Sequence, residues 1–510
     1  MTKNNQSKIV SLTRLFNLTK KLKKNKKKII LCHGVFDLLH VGHIKHFKEA
    51  KKNGDILIVT LTADQFVKKG PMRPFFNETL RAEVLDAIDV IDYVSINYEV
   101  SALNLIKNIK PDIYFKGNDY KNNLNDITGM IKKEKDLVNK NGGKVIITDE
   151  LTFSSSTLLN KYGETFNNNQ KLFIKKIKNK YSFDQIKKIV ESFSDLKVLV
   201  IGEAIIDEYT FCEALGKSGK EPVLIFKKLN TERYLGGILA IARHLASFCK
   251  EIRILSMVGD TDTKKKEIMN KLEKNIKCSF YVKKNSPTIL KKRYIDKIDM
   301  RKVFGAYSIN DTRISQKEEN KMLNAFKINQ KIYDLIIVAD YGHGMITPKI
   351  AKYISKNKKF VSLNTQINST NIGLRSLSKF KKIKNLVINA SELRYEMNNN
   401  DLDIIYLAKK FIKKIKCDQL CVTEGKKGAF IINKKLNVFK CPAFLNKPKD
   451  KVGAGDAYLS LISLCQFKKV DINLANFIAS LGAAKSADTI GNKSPIEKIE
   501  ILKTISHTLK

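Results

Sequence analysis

The chain has 510 residues, 43% of them hydrophobic, and a formal charge of +43 from 94 Lys and Arg against 51 Asp and Glu. That length exceeds one ordinary domain and calls for two or three, while the apolar runs fall well short of a membrane span and no signal peptide is expected. The charge is spread as lysine along the whole chain without arginine–aromatic interleaving, so it is taken as compositional drift that favours anionic substrates, not as a specific nucleic-acid surface. Eight cysteines without a CxxC pair predict neither a disulfide framework nor a zinc site, and a reducing cytoplasm fits.

Segment 1–27 is polar and basic, with seven lysines between Lys20 and Lys28, and is expected as a solvated approach to the first strand. Over 28–162, strands are predicted at 29–31, 55–60, 93–96, 113–116 and 144–148, and helices at 43–52, 77–87, 102–109 and 131–139. This alternation predicts a parallel sheet with helices on both faces, an α/β unit. Four of the seven histidines crowd into 33–46, with His40-Val41-Gly42-His43 at a predicted helix start. Imidazoles three residues apart share one helix face, beside free backbone N–H groups and the positive end of the helix dipole. Such a site suits polyphosphate. Lys45 is a further phosphate candidate or an ordinary surface lysine.

The companions of this pair are more specific. Gly34-Val35-Phe36-Asp37-Leu38-Leu39-His40-Val41-Gly42-His43 resembles the opening motif of the cytidylyltransferase-like nucleotidyltransferases, which have a Rossmann-like sheet. Arg81 matches that family's phosphate-contacting arginine. Lys116-Gly117-Asn118-Asp119-Tyr120 resembles the segment lining its nucleotide pocket, and Phe153-Ser154-Ser155-Ser156-Thr157 its triphosphate-gripping motif. The resemblance covers about residues 28–160. It implies that His40 and His43 are catalytic, and that Gly34, Phe36, Asp37, Gly42, Lys45, Arg81, Gly117, Asp119 and Ser154 to Thr157 bind ATP or CTP. Class I aminoacyl-tRNA synthetases share HxGH but need a KMSKS-like loop, which this sequence lacks.

Residues 163–190, rich in Asn, Gln and Lys, are expected as a linker, and 191–510 as a second α/β unit. Its strands are predicted at 197–202, 252–258, 334–339, 360–363, 385–388, 419–423 and 429–432. Near its end, Asp450-Lys451-Val452-Gly453-Ala454-Gly455-Asp456 precedes an apolar helix at 457–464. Small residues at a helix N-terminus leave amides free to hold a transferring γ-phosphoryl, and Asp456 is placed to take a proton from an attacking hydroxyl.

Residues 195–495 resemble the ribokinase, or PfkB-type, carbohydrate kinases, which implies a ribokinase-like α/β/α sandwich using ATP and Mg2+. Asp207 matches the aspartate that grips sugar hydroxyls, and Gly236-Gly237 the di-glycine turn. Asn389-Ala390-Ser391-Glu392 matches the NxxE motif that organises magnesium indirectly, with phosphates. Thr423-Glu424-Gly425-Lys426-Lys427-Gly428 matches the turn bordering the nucleotide, and Asp340-Tyr341-Gly342-His343-Gly344 fits a loop near the phosphates. No Walker A pattern is present. Four departures stand out: Ala240 for a sugar-binding Asn, Lys451 for a small hydroxyl residue, Glu203 for Asp, and Leu363-Asn364-Thr365-Gln366 for an Asp-Pro pair. They lie mostly on the sugar side.

Together the halves resemble the bifunctional heptose 7-phosphate kinase/heptose 1-phosphate adenylyltransferases with the domain order reversed. The resemblance implies synthesis of a nucleotide-activated sugar from sugar phosphates and nucleoside triphosphates, for lipopolysaccharide core or another surface glycan. The alternative is a cytidylyltransferase for a polyol or other sugar phosphate, fused to a kinase-like half that binds sugar without catalysis. No membrane partner is expected, and a homo-oligomer is compatible with the sequence.

Overall fold

The computed structural model describes residues 7–67, 73–117, 130–148, 166–262, 264–367, 376–445 and 447–509. It divides into two compact units, 1–167 with 502–510, and 168–501. In the first, β1 (Ile29–Gly34), β2 (Ile56–Thr62), β3 (Tyr93–Asn97), β4 (Ile113–Lys116) and β5 (Lys144–Ile147) form a wholly parallel sheet in the order β3-β2-β1-β4-β5. The order reverses between β1 and β4, and the crevice at their carboxyl ends is where open α/β sheets bind ligands. Strand β1 is buried on both faces. Ile30 and Cys32 pack with Phe47, Leu85 and Phe115, whereas Ile29 and Leu31 pack with Leu15, Ile106 and Tyr114. Burial of both faces is why its run Ile-Ile-Leu-Cys shows no polar alternation. The basic approach expected at 1–27 contains a helix, Leu12–Lys24, capped by Ser11 and burying Leu15 and Thr19.

In the second unit, two sheets divide the strands. Their ranges are β6 (Lys197–Gly202), β7 (Ala204–Lys217), β8 (Leu224–Gly237), β9 (Glu251–Gly259), β10 (Ile276–Lys283), β11 (Ile289–Asp296), β12 (Lys302–Ser308), β13 (Leu335–Asp340), β14 (Phe360–Thr365), β15 (Asn385–Asn389), β16 (Gln419–Thr423), β17 (Ala429–Asn433) and β18 (Val438–Cys441). Nine strands run β10-β9-β6-β13-β14-β15-β16-β17-β18, parallel except for the antiparallel β17 and β18. The helices Ala454–Phe467 and Ile472–Ala487 are buried along most of their length. The helix Gln316–Ile332 contributes Met322, Leu323 and Phe326 to a core that also holds Ile336 and Val338 of β13. A separate four-stranded sheet, β12-β11-β7-β8, projects exposed residues at the far ends of β7 and β8.

The stretch 163–190, expected as a linker, holds two helices, Asn168–Lys180 and Phe183–Glu191. Phe173 of the first packs 6.4 Å from Phe444 and 6.2 Å from Phe477. Its polar composition belongs to the outward face, while Gln170, Phe173, Ile174 and Ile177 are buried.

Candidate active sites

In the first unit, the chain leaves β1 at Gly34 and turns through Phe36, whose φ of 50° lies in the left-handed region. It then enters the helix Val41–Lys51, for which His40 is the N-cap. The His40 and His43 rings lie 4.0 Å apart, tilted by 32°, and Phe36 meets His43 edge-on at 5.6 Å. His40 Nδ1 accepts the N–H of Gly42 at 3.1 Å. Burial holds His40 below its ordinary value and brings His33 and His46 down to about 4. His40 is therefore neutral at physiological pH, and the tautomer follows: Nδ1 is an acceptor, so Nε2 carries the proton. That Nε2 is buried and has no protein partner among the described residues. It is a donor awaiting an acceptor, beside the amides of a helix N-terminus.

Two expected nucleotide ligands stand elsewhere. Arg81 is fully buried, and its guanidinium donates to Phe76 O at 3.0 Å, Thr62 O at 2.9 Å, Asp64 Oδ1 at 2.5 Å and Val35 O. Every nitrogen is committed to protein, so the phosphate contact expected of it does not match its placement. Arg81 ties the turn after β1 to the end of β2. Asp37 likewise accepts the N–H groups of Phe75 and Phe76 at 2.7 and 3.1 Å and lies 3.6 Å from Arg73. It organises the neighbouring loop. Lys45 is exposed, and Gly42 and Gly117 are half-buried. Asp119, Ser154, Ser155, Ser156 and Thr157 lie outside the described residues. Lys116, beside Gly117, is buried 3.6 Å from Glu134, which also accepts the Tyr114 hydroxyl at 2.9 Å. No sequence signal had marked Glu134.

The second unit encloses a cavity of about 1000 Å3. Asp207, Gly237, Asn389, Glu392, Thr423, Gly425, Gly428, Gly453, Ala454, Gly455 and Asp456 all line it. Gly453, with φ of 87°, caps the helix Ala454–Phe467, and a Cβ there would lie 2.0 Å from Asn492 Oδ1. Asp456 sits in the first turn of that helix, and its Oδ1 accepts the Tyr341 hydroxyl at 2.9 Å. Burial pushes Asp456 up to about 7; the Tyr341 hydrogen bond opposes this and the Asp207 charge adds to it. Gly236 stands behind the wall, where a Cβ would come within 2.2 Å of Asp207 Oδ2. Asp207 Oδ1 pairs with Arg293 at 2.5 Å.

Asn389 and Glu392 form a capping box. Each accepts the other's backbone N–H at 2.8 Å, and Ile367 N–H reaches the second Glu392 oxygen at 3.4 Å. Burial raises Glu392 to about 7. The Glu203 departure has a clear effect. Its longer side chain accepts the N–H groups of Tyr341 at 3.0 Å and His343 at 3.2 Å, which holds the loop 340–344. Ala240 is buried, Lys451 lines the cavity, and Asn364 donates to Val387 O at 2.9 Å.

Sequence reasoning missed Lys291 and Arg293, which also line the cavity, as does Tyr341 of the loop 340–344. Lys291 pairs in register with Asp207 across β11 and β7, and burial lowers its ammonium. Its signal was the run Leu-Lys-Lys-Arg-Tyr, too charged to suggest a strand with a functional face. Among the described residues there is no group of three metal-ligating side chains, no helix long and apolar enough to cross a membrane, and all eight cysteines are free.

The pfkB family carbohydrate kinase model matches residues 195–498, and the chain belongs to that family. The cytidylyltransferase-like model matches residues 31–161. The bifunctional protein HldE of Campylobacter jejuni (strain RM1221) is 26% identical over 325 residues, 62% of this chain and 66% of that protein. The bifunctional protein HldE of Geobacter metallireducens is 39% identical over 165 residues, 31% of this chain and 32% of its own. These matches thus span less than two thirds of the curated relatives' own length. Escherichia coli phosphofructokinase-2, solved with potassium, aligns over 62% of this chain and all of that one, with a TM-score of 0.50 and 15% identity. That likeness concerns the fold.

Proposed function

We propose that this chain is a bifunctional enzyme of nucleotide-sugar synthesis. One half phosphorylates a sugar phosphate with ATP, heptose 7-phosphate being the favoured candidate. The other transfers AMP or CMP from a nucleoside triphosphate to a sugar 1-phosphate and releases pyrophosphate. The observation that carries the reading is the single cavity shared by Asp456, the Gly453–Gly455 turn and Asp207.

In the kinase half, a sugar hydroxyl oriented by Asp207 attacks the γ-phosphorus of ATP. Asp456 takes its proton, and ADP leaves. The amides at the start of the helix Ala454–Phe467 meet the charge on the transferring phosphoryl, where electrostatic stabilisation contributes most. Mg2+, when bound, neutralises the nucleotide phosphates. Glu392 and Asn389 fit an indirect role towards it: both line the cavity, yet their oxygens already accept backbone amides, so water would bridge them to the ion.

In the transferase half, an oxygen of the sugar 1-phosphate, ionised at neutral pH, attacks the α-phosphorus. No strong base is needed. Neutral His40 donates from Nε2 to a phosphate oxygen, and His43 stands beside it. Pyrophosphate leaves from the helix N-terminus. Both reactions consume nucleoside triphosphates, and a cytoplasmic location is part of this proposal. The HldE relatives and the two matched families support this pairing of activities.

The test is a mass-spectrometric product assay with heptose 7-phosphate, heptose 1-phosphate and each nucleoside triphosphate. The expected products are a sugar bisphosphate with ADP and, separately, a nucleotide-sugar with pyrophosphate. No turnover in the first arm would favour the non-catalytic kinase half.

A further inference from the structure

The strap before the anion-binding turn carries a carboxylate that phosphoryl transfer does not use. Asp450 is buried, its side chain 5% exposed. Four donors meet it. Oδ1 accepts the Lys302 ammonium at 2.6 Å and the Val452 N–H at 3.1 Å. Oδ2 accepts the Tyr209 hydroxyl at 2.6 Å and the Gly491 N–H at 3.0 Å. Lys302 opens β12 and Tyr209 lies within β7, so two donors come from the four-stranded sheet. The other two belong to the body that carries the helix Ala454–Phe467.

The junction is closely fitted. Tyr209 meets Tyr234 edge-on at 5.3 Å, and a Cβ on Gly491 would come within 2.9 Å of the Tyr234 ring. The Lys302 ammonium also lies 5.5 Å from the Tyr209 ring centroid. Of the four donors, Lys302 alone brings a full positive charge. Asp450 stands three residues before Gly453, and a bare carboxylate there would repel the polyanion that the turn must hold.

We propose that Lys302 and Tyr209 are positioning residues for phosphoryl transfer, acting through Asp450 to set the turn Gly453–Gly455 against the nucleotide. Lys302 is a built-in cation that cancels the Asp450 charge, and the four-stranded sheet is thereby latched to the anion-binding turn. The proposal rests on the kinase reading above. A tethered ammonium is replaceable by a free one, which gives a readout that loss of structure would not.

In the full chain, Lys302→Ala is expected to lower kcat for sugar phosphorylation by about tenfold or more, the scale of one lost charge-assisted hydrogen bond. The KM for sugar changes little. Added ammonium or methylammonium restores kcat in this variant and leaves the wild type unchanged. An unaltered kcat, or a loss that neither cation relieves, overturns the proposal. Hydrogen exchange over residues 450–456 tests the latch without turnover. It is expected to quicken in Lys302→Ala and in Tyr209→Phe while the melting midpoint holds, and exchange at the wild-type rate in both variants overturns the latch. A wild-type chain that phosphorylates no sugar yet shows faster exchange in the variants refutes the kinase reading and supports the latch.

Discussion

The proposed phosphoryl transfer asks Asp456 to act as a base where its charged form is disfavoured. Burial raises it to about 7, and the Tyr341 hydroxyl, 2.9 Å away, restrains the rise by donating to the carboxylate. The proton-accepting form is lost below about pH 7, so kcat/KM for phosphorylation is expected to fall on the acid side. Tyr341→Phe removes that donor and stabilises the protonated acid relative to the carboxylate. A hydrogen bond to a charged group contributes roughly 1.5–3 kcal/mol, and one pKa unit corresponds to about 1.4 kcal/mol. The acid limb is therefore expected to move up by about one to two pH units. Tyr341 itself does not titrate in this range, because burial and the Asp456 charge push its phenol well above 10. The assay is kcat/KM for sugar phosphorylation across the neutral range, in wild type and variant. An acid limb that stays in place or moves down would refute the reasoning.

Asp456→Asn is expected to abolish phosphorylation yet stabilise the second unit. The wild-type pKa rises from 3.8 to about 7 on folding, so the cost of ionising the buried carboxyl grows between those values and is constant above. The gain should reach roughly 4 kcal/mol at about pH 8 and shrink to about 1–2 kcal/mol near pH 5, measured by urea unfolding. Gly236→Ala puts a Cβ within 2.2 Å of Asp207 Oδ2, and is expected to raise the KM for sugar about tenfold or more with the KM for ATP little changed, on the scale of one displaced charged hydrogen bond. His40→Asn should keep the helix cap, because Asn is a favoured N-cap, whereas His40→Ala costs about 1 kcal/mol in thermal unfolding. Both should lose pyrophosphate release, since neither restores the Nε2 donor; retained release in His40→Asn would show that capping is the residue's whole role.

Much of the fold was legible because buried parallel strands write themselves as short apolar runs. Strands β1 and β6, Ile-Ile-Leu-Cys and Val-Leu-Val-Ile, are of this kind. The four-stranded sheet was not legible. Strand β11 reads Ile-Leu-Lys-Lys-Arg-Tyr-Ile-Asp and β8 is largely exposed, so neither shows a hydrophobic period. The helices at 168–191 were hidden by lysine and asparagine on their outer faces. At the sites, Gly453, Gly428 with φ of 103°, Asn389 and Glu392 stood in readable motifs, but the capping box that the last two form was not foreseen. What the motifs left open was the partner of each side chain. Arg81 serves carbonyl groups and Asp37 serves amides, and sequence spacing carries no record of such long-range pairs. Lys291 and Lys302 were missed for the same reason, as was the bond from the Tyr341 hydroxyl to Asp456.

The proposed function assigns this chain two separate chemistries, each with its own residues. The most direct measurement follows ADP and pyrophosphate separately in the full chain carrying Asp456→Asn or the double change His40→Ala with His43→Ala. Loss of ADP formation with pyrophosphate release intact is expected in the first, and the converse in the second. Loss of both products in either variant, or of neither, would contradict it.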